Sequence, residues 1–403
     1  MRAGVVAWLG TLDPVLEIDV EGATEALLDV LESRITAGRL AVYFSHILRN
    51  VVRYGECRGK YTLHIFRRGK WRGCALSSST LHTGLIPGLY DMAQSHVRAL
   101  LSAPSLTPFT SLTPHRSPVA RLEARCNASG IVGTAIAKMV KSMRATATSD
   151  TTAHDFARGM DGGEYIGFRN GVYDLSGDRF IPSEQVHHSV LVSMSTGYDY
   201  AAPSACPRET IDEIVGFYRT LFCDPNDPND ANLAAAWRFS GSLLTARHKC
   251  AVAFVGAGCS GKTTFTSLMH RTLGEYCQGM FVARFKRSAH CDKRANEKAR
   301  MCVYAEVGRM DVVRFEGEGK ALSSRATPVM HATADLSPSL ARAVEAGSAR
   351  AVHFGSKFVH EGVDPARRLY ACDPTLATRE VFDTWAPAHF HLMLAARSRH
   401  VTA

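Results

Sequence analysis

The sequence predicts an α/β protein whose carboxyl-terminal half is built on a parallel sheet, preceded by a mainly α+β amino-terminal region. Three observations predict it. Ala251-Val-Ala-Phe-Val255 is a short, unbroken apolar run of the kind that a parallel strand covered on both faces requires. A glycine-rich turn and a helical pattern, Phe265 to Leu273, follow it directly, and further apolar strands recur downstream. The amino-terminal half instead combines an amphipathic helical pattern at Glu21 to Ala37 with an alternating stretch, Tyr61-Thr-Leu-His-Ile-Phe66, that reads as a strand.

With 403 residues, 46% of them hydrophobic, the chain is long enough for two or three domains and can bury a substantial core. Lysine and arginine exceed aspartate and glutamate by nine. That excess biases the protein towards polyanionic partners, nucleic acid first, although a basic surface with no specific partner has the same composition. Eleven cysteines are scattered from Cys57 to Cys372 with no C-x-x-C pair, so no zinc site is expected from them, and the pattern suits a reducing compartment. The apolar run Ala3 to Leu12 is too short to span a bilayer and lacks a small-residue cleavage site. An intracellular, soluble protein with no membrane partner is expected.

The first region runs over residues 1–101 and ends its strand at a basic turn, Arg67-Arg-Gly-Lys-Trp71. Aromatics interleaved with Arg67, Arg68 and Lys70 suit either a nucleic-acid surface or a half-buried strand with a basic turn. Residues 102–118 carry four prolines among serines and threonines, the composition of a linker. Over 119–207 a helix is expected at Ile131 to Arg144, followed by Ile166-Gly-Phe-Arg-Asn-Gly-Val-Tyr-Asp-Leu175, a strand and turn with Asn-Gly as the hairpin signal. From 208 to 403 the pattern changes to a helix from Arg208 to near Cys223, a Pro/Asp/Asn loop, a second helix from Asn232 to about Ala246, and then the apolar strand at Ala251.

Chemistry enters immediately after that strand. Gly256-Ala-Gly-Cys-Ser-Gly-Lys-Thr263, with Thr264 beside it, matches G-x-x-x-x-G-K-[ST] between strand and helix, the pattern of a P-loop. Glycines let backbone N–H groups turn inward around phosphates, and the helix amino terminus adds its positive end. Lys262 reaches the outer phosphates, and the Thr263 hydroxyl can ligate magnesium. Gly256, Ala257, Gly258, Cys259, Ser260, Gly261, Lys262, Thr263 and Thr264 are therefore expected to hold ATP with Mg2+. Arg300-Met-Cys-Val-Tyr-Ala-Glu306 is a second apolar strand ending in an acid, which a P-loop enzyme needs near magnesium and the attacking water. Glu306 is the Walker B candidate, although strands ending in an acid occur in any fold. Pro328 to Pro338 reads as a third strand and turn, in which Thr333 or Asp335 either faces a γ-phosphate or simply closes the turn. Ser348-Ala-Arg-Ala-Val-His-Phe354 places Arg350 beside another apolar strand, as a residue completing a neighbour's site or as a solvated surface charge.

The order of these pieces resembles the superfamily 3 helicases of DNA viruses and phages, and in particular the helicase half of the poxvirus-type primase-helicases. Phe168-Arg-Asn-Gly-Val-Tyr-Asp-Leu175 with Asp178-Arg-Phe-Ile-Pro182 is similar to a segment of the domain preceding the helicase in that family. Pro328 to Pro338 resembles its motif C strand, Arg350 to Phe358 its arginine-finger segment, and Asp373-Pro-Thr-Leu376 with Trp385 the end of the module. The resemblance implies a P-loop ATPase of the AAA+ type at 208–403 and a helicase-associated domain at 119–207. It also implies a homo-hexamer with ATP at subunit interfaces, threading single-stranded or forked DNA through a basic channel. Lys262 and Glu306 would carry hydrolysis, with Thr263 and Glu306 on magnesium and Arg350 reaching in from the next subunit. A viral replication site in host cytoplasm or nucleus is implied as the location.

The chain departs from the family at three places. Ala334 stands where motif C usually carries Asn. The segment between Glu306 and Pro328, where the family builds a DNA-contacting hairpin, is short and offers Lys320 and Arg325 as basic tips. No primase domain is legible, so a primase, and with it a polymerase, would be separate partners. An ATP-dependent DNA helicase is the first reading of the whole. A degenerate nucleotide- and DNA-binding assembly protein without unwinding activity is the alternative, and a small-molecule kinase a third, against which the long amino-terminal region argues.

Overall fold

The computed structural model describes residues 2–11, 17–57, 60–74, 88–103, 117–128, 130–147, 152–223, 229–245, 251–281, 299–305, 327–332, 338–347, 349–377 and 379–401. The chain forms two compact units, Met1–Met160 with Pro182–Ser193 and Asp161–Ile181 with Met194–Ala403. Among the described residues no helix is long and apolar enough to cross a membrane.

The first unit surrounds an antiparallel sheet, β1 (Val52–Cys57), β2 (Lys60–Arg67) and β3 (Lys70–Cys74), with helices α1 (Arg2–Gly10), α2 (Val20–Glu32), α3 (Ala37–Ile47), α4 (Leu89–Leu101), α5 (Pro118–Ala128), α6 (Ile131–Ala147) and α7 (Thr152–Gly159). The single helix expected from Glu21 to Ala37 is two. Asp19 caps the first, its Oδ1 accepting the Gly22 N–H at 3.1 Å. Thr36 then sits extended, and its hydroxyl accepts the Arg39 N–H at 3.3 Å, which starts α3 at the point where the expected helix ends. The two helices bury Leu27, Leu31, Tyr43, Phe44 and Ile47, positions spaced for one face each.

In β2 the alternation expected at Tyr61 to Phe66 puts Leu63 and Ile65 in the core. The basic turn is a two-residue loop, Arg68-Gly69, with both residues at positive φ, 50° and 71°, the twist that a tight hairpin needs. Trp71 beyond it is fully buried, its indole N–H donating to the His188 carbonyl at 3.0 Å. Trp71 therefore offers no stacking platform to a nucleic acid, and the half-buried strand is the reading that holds for it.

The second unit carries a small antiparallel sheet, β4 (Tyr165–Phe168), β5 (Gly171–Asp174) and β6 (Arg179–Pro182), and a five-stranded parallel sheet. Helices α8 (Arg208–Phe222) and α9 (Ala231–Ser242) precede the parallel sheet, and α9 ends in a turn at 243–245 instead of running to Ala246. The sheet's strands are β7 (Ala251–Val255), β8 (Cys277–Phe281), β9 (Met301–Ala305), β10 (Thr327–Ala332) and β11 (Ala349–His353), in the spatial order β11-β7-β10-β9-β8. Helix α10 (Lys262–Leu273) follows β7, α11 (Pro338–Glu345) precedes β11, and a parallel pair, β12 (Lys357–Val359) and β13 (Leu369–Ala371), leads to the final helix α12 (Arg379–Val401). The fold is thus mixed α/β with a five-stranded parallel sheet, compatible with an α/β nucleotide-binding fold.

Aromatic packing holds this unit together. Tyr218, Phe222, Phe254, Phe265 and Phe354 are all nearly inaccessible to solvent and meet edge-on or tilted with ring centroids 4.8–5.8 Å apart. Each such ring contributes roughly 1.5–3 kcal/mol on burial. Asn232 closes the sheet's edge, since its side chain accepts the His353 N–H at 3.0 Å and donates to the His353 carbonyl at 2.7 Å.

A polar network is buried in the same core. His389 lies in α12, fully covered, with Nδ1 2.7 Å from Thr272 Oγ1 and Nε2 2.8 Å from the Tyr218 hydroxyl. Because the Thr272 hydroxyl donates to the Leu268 carbonyl, His389 Nδ1–H donates to Thr272, while Nε2 faces the Tyr218 hydroxyl, which also lies 2.8 Å from Ser240 Oγ. The ring is neutral, and burial pulls its pKa down to about 3 from 6.5. The unfolded chain takes up this proton near pH 6.5 and the folded chain only near 3. Stability from this group is therefore complete above pH 6.5 and is lost progressively as pH falls towards 3, by up to about 1.4 kcal/mol per pH unit. Urea unfolding at pH 7.5, 6 and 5 should show His389→Gln less stable at pH 7.5 by about 1–3 kcal/mol, and with a visibly flatter loss of stability towards pH 5 than the wild type.

Candidate nucleotide-binding site

The loop 256–261 leaves the carboxyl end of β7 and turns into α10, at the edge of the sheet where the ends of β11, β7 and β10 lie side by side. This is where a parallel sheet binds its ligands. Two backbone positions define its shape. A Cβ on Gly256 would lie 2.6 Å from the Phe354 carbonyl oxygen and 2.8 Å from Ser260 Oγ, so the loop can pass beneath the end of β11 only as glycine. Gly261 has φ +89° and faces Leu221 and Phe358, and it is the residue from which α10 starts. Cys259 also adopts a left-handed conformation, φ 58°, which costs a non-glycine residue about 1 kcal/mol or more. It is held there by the Phe358 N–H, which donates to its carbonyl at 2.9 Å.

Lys262 opens α10 and folds back over the loop. Its Nζ donates to the carbonyls of Gly256 at 2.6 Å and Ala257 at 2.8 Å and to Ser260 Oγ at 2.9 Å. Burial lowers its pKa and Cys259 opposes the shift, but the ammonium remains the positive centre of the loop. No side chain caps the α10 amino terminus, so its first N–H groups face the loop uncovered. Gly258 has nothing within 4 Å of a Cβ position, while Ala257, Cys259 and Thr263 are exposed and Thr264 is half-buried. The expected loop residues from Gly256 to Thr264 are thus brought together in one turn, with Lys262 bonded across it and Thr263 exposed beside it. An ammonium beside an uncapped helix amino terminus suits an anionic group.

His331 joins this group without having been predicted. It stands on β10 opposite Phe254, with the rings 5.8 Å apart, and its Nε2 lies 3.0 Å from Thr266 Oγ1. Since the Thr266 hydroxyl donates to the Lys262 carbonyl at 2.9 Å, His331 Nε2–H is the donor to Thr266. Burial, and then Lys262, hold the His331 pKa at about 4, so the ring is neutral. It fastens β10 to the first turn of α10. A histidine in an otherwise apolar strand, Pro-Val-Met-His-Ala, was the available signal, and it has no meaning until the strand order makes β10 the neighbour of β7.

Other expected site residues stand apart or lie beyond view. Arg350 is exposed on β11, the edge strand next to β7, paired with Val252. At about 3.3 Å per residue it sits roughly 10 Å below the end of the strand, away from the loop of its own chain. Glu306 follows the last described residue of β9, and Glu306, Thr333, Ala334, Asp335, Lys320 and Arg325 lie outside the described residues. No protein-family model matches the chain, and no curated protein is significantly similar to it.

The glycine requirements can be separated by substitution. Gly261→Ala should destabilise the protein by about 1–3 kcal/mol in urea unfolding, because alanine at that φ is strained and its Cβ meets Leu221. Gly258→Ala should unfold within about 0.5 kcal/mol of the wild type. Equal effects of the two would contradict this account of the loop.

Proposed function

We propose that this chain is a nucleoside-triphosphate-hydrolysing motor of the superfamily 3 helicase type, an AAA+ P-loop ATPase that works on DNA. The observation that carries the reading is the loop from Gly256 to Thr263, with two left-handed residues, an uncapped helix amino terminus and Lys262 gathered between strand and helix. Strand order supports it further. With β10 between them, β7 and β9 are about 9–10 Å apart, a separation that suits a P-loop enzyme in which the acid after β9 faces the γ-phosphate bound at the β7 loop, the role proposed for Glu306.

In this reading the loop N–H groups and the start of α10 bind the β- and γ-phosphates, and Lys262 leaves the Gly256 and Ala257 carbonyls to neutralise the charge that develops on the transferred group. Thr263 and Glu306 would hold Mg2+, which shields the phosphate oxygens from one another. Glu306 also orients the attacking water, and His331 keeps the first turn of α10 in register with β10. Arg350, exposed on the edge strand and remote from its own loop, is disposed to reach a neighbouring subunit in a homo-hexamer and not its own nucleotide. The excess of nine basic residues suits single-stranded or forked DNA as the partner. A primase and a polymerase would then be separate chains at a viral replication site.

Ala334 in place of the family's Asn favours a second reading, a nucleotide- and DNA-binding assembly protein that does not unwind. Steady-state ATP hydrolysis with and without single-stranded DNA, measured beside Lys262→Ala, separates the two. The motor reading expects turnover that rises with DNA and falls about a hundredfold or more in the variant, whose folding is checked by its melting curve. Nucleotide binding without DNA-stimulated turnover would favour the assembly protein, and turnover untouched by the substitution would reject both.

A further inference from the structure

The first unit holds a group of mixed metal-ligand type, independent of the nucleotide loop. Glu17, two residues before the Asp19 cap of α2, has φ 43°. His187 and His188 lie in a turn closed by the Val190 N–H, which donates to the His187 carbonyl at 3.0 Å. The same segment is fixed by Trp71, whose indole N–H donates to the His188 carbonyl at 3.0 Å and whose backbone N–H donates to the Val192 carbonyl at 2.8 Å. This turn places two consecutive imidazoles side by side, with ring centroids 4.0 Å apart.

Both rings face one carboxylate. His187 Nε2 is 3.3 Å from Glu17 Oε1, His188 Nε2 is 3.6 Å from Glu17 Oε2, and one ligand atom from each of the three residues lies within 4.8 Å of the others. Tetrahedral zinc at about 2.0–2.1 Å from nitrogen and oxygen donors separates neighbouring donors by about 3.3–3.4 Å. The contact of His187 with Glu17 Oε1 already has that spacing, and His188 stands 3.6 Å from the other oxygen, a few tenths of an ångström wider.

His188 supplies a second, independent observation. Its side chain is only 5% exposed, and neither ring nitrogen has a hydrogen-bond partner among the described residues. The 3.6 Å approach to Glu17 is beyond hydrogen-bond distance. A covered imidazole with both nitrogens unsatisfied is unfavourable unless something else engages it. His187 Nδ1 accepts the Ser189 N–H at 3.2 Å and lies 2.8 Å from Ser189 Oγ, which fixes the ring with Nε2 turned to Glu17; coordination through Nε2 requires the ring proton to move to Nδ1, with Ser189 Oγ as its acceptor.

We propose that Glu17, His187 and His188 bind one divalent transition-metal ion of the zinc class. Two imidazoles and a carboxylate are a donor set for zinc and its neighbours and not for magnesium or calcium, which take oxygen. Three protein donors leave a fourth position, reachable from solvent because Glu17 is exposed and His187 half-exposed. The ion fastens the turn 187–190 to the residues preceding α2, two stretches far apart in sequence but within the same compact unit.

The test is titration of the chelator-treated full chain with Zn2+ by calorimetry, and with Co2+ by visible absorption, for the wild type, His187→Ala and Glu17→Gln. Both variants alter exposed or half-exposed side chains, and His188→Ala serves as a third whose folding is checked by its melting curve. One equivalent of Zn2+ bound at micromolar or lower concentration, the intense absorption of tetrahedral Co2+, a rise in melting temperature on loading, and at least tenfold weaker binding in both His187→Ala and Glu17→Gln are expected. Absence of saturable binding below millimolar Zn2+, or an affinity unchanged in both variants, would overturn the proposal and assign the cluster to an ordinary ion pair or the metal to other residues.

Discussion

The second unit depends on how closely the end of β11 approaches the loop that leaves β7. Phe354 donates its N–H to the Val255 carbonyl at 2.7 Å and places its own carbonyl where a side chain on residue 256 would be. Phe358 then secures the Cys259 carbonyl, so the loop is clamped at both ends by one stretch of chain. The left-handed Cys259 and Gly261 follow from that clamp: the backbone has to reverse within a few residues between a covered strand and a helix whose first turn it must leave open. The aromatic cluster of Phe222, Phe254, Phe265 and Phe354 lies directly beneath, and it makes this geometry rigid instead of merely allowed.

A buried arginine links the rest of the unit to the same sheet. Arg300, immediately before β9, is fully covered; its guanidinium donates to the Leu244 and Tyr165 carbonyls and lies over the Tyr276 ring at 4.9 Å. Tyr276 in turn accepts the Gly167 N–H at 2.9 Å. The β4–β5 hairpin is thereby fastened to the parallel sheet through hydrogen bonds that satisfy backbone groups on both sides. This explains why Asp161–Ile181 belongs to the same compact unit as the loop, whereas α5, α6 and α7, which precede it in the expected 119–207 region, belong to the other.

What was legible in the sequence was local. The strand, turn and helix around Gly256 to Thr263 could be read because they are contiguous, and each residue type is required by backbone geometry that the neighbours alone impose. The hairpin signal at Asn170-Gly171 found the right place with the wrong register: the two-residue turn is Arg169-Asn170, and Gly171 opens β5 because a Cβ there would meet Phe180 and the Ile181 carbonyl. Asn170 is needed for its amide, which exchanges two hydrogen bonds with the backbone of Tyr200. The strand β8 was missed because Gln278 and Gly279 interrupt its apolar pattern, which an edge strand tolerates. His331, and the pairing of Glu17 with His187 and His188, were illegible for a different reason: their meaning depends on contacts between distant segments, and no periodicity records those.

The central claim is that the loop at Gly256 to Thr263 recognises phosphates, and it is tested most directly by equilibrium binding of ATP, ADP and adenosine to the full chain in the presence of Mg2+. The account predicts affinity that falls in that order, with adenosine bound at least a hundredfold more weakly than ATP, because the contacts come from backbone N–H groups and Lys262 acting on the phosphates. Adenosine binding as tightly as ATP, or no binding of any of the three at millimolar concentration, would contradict it.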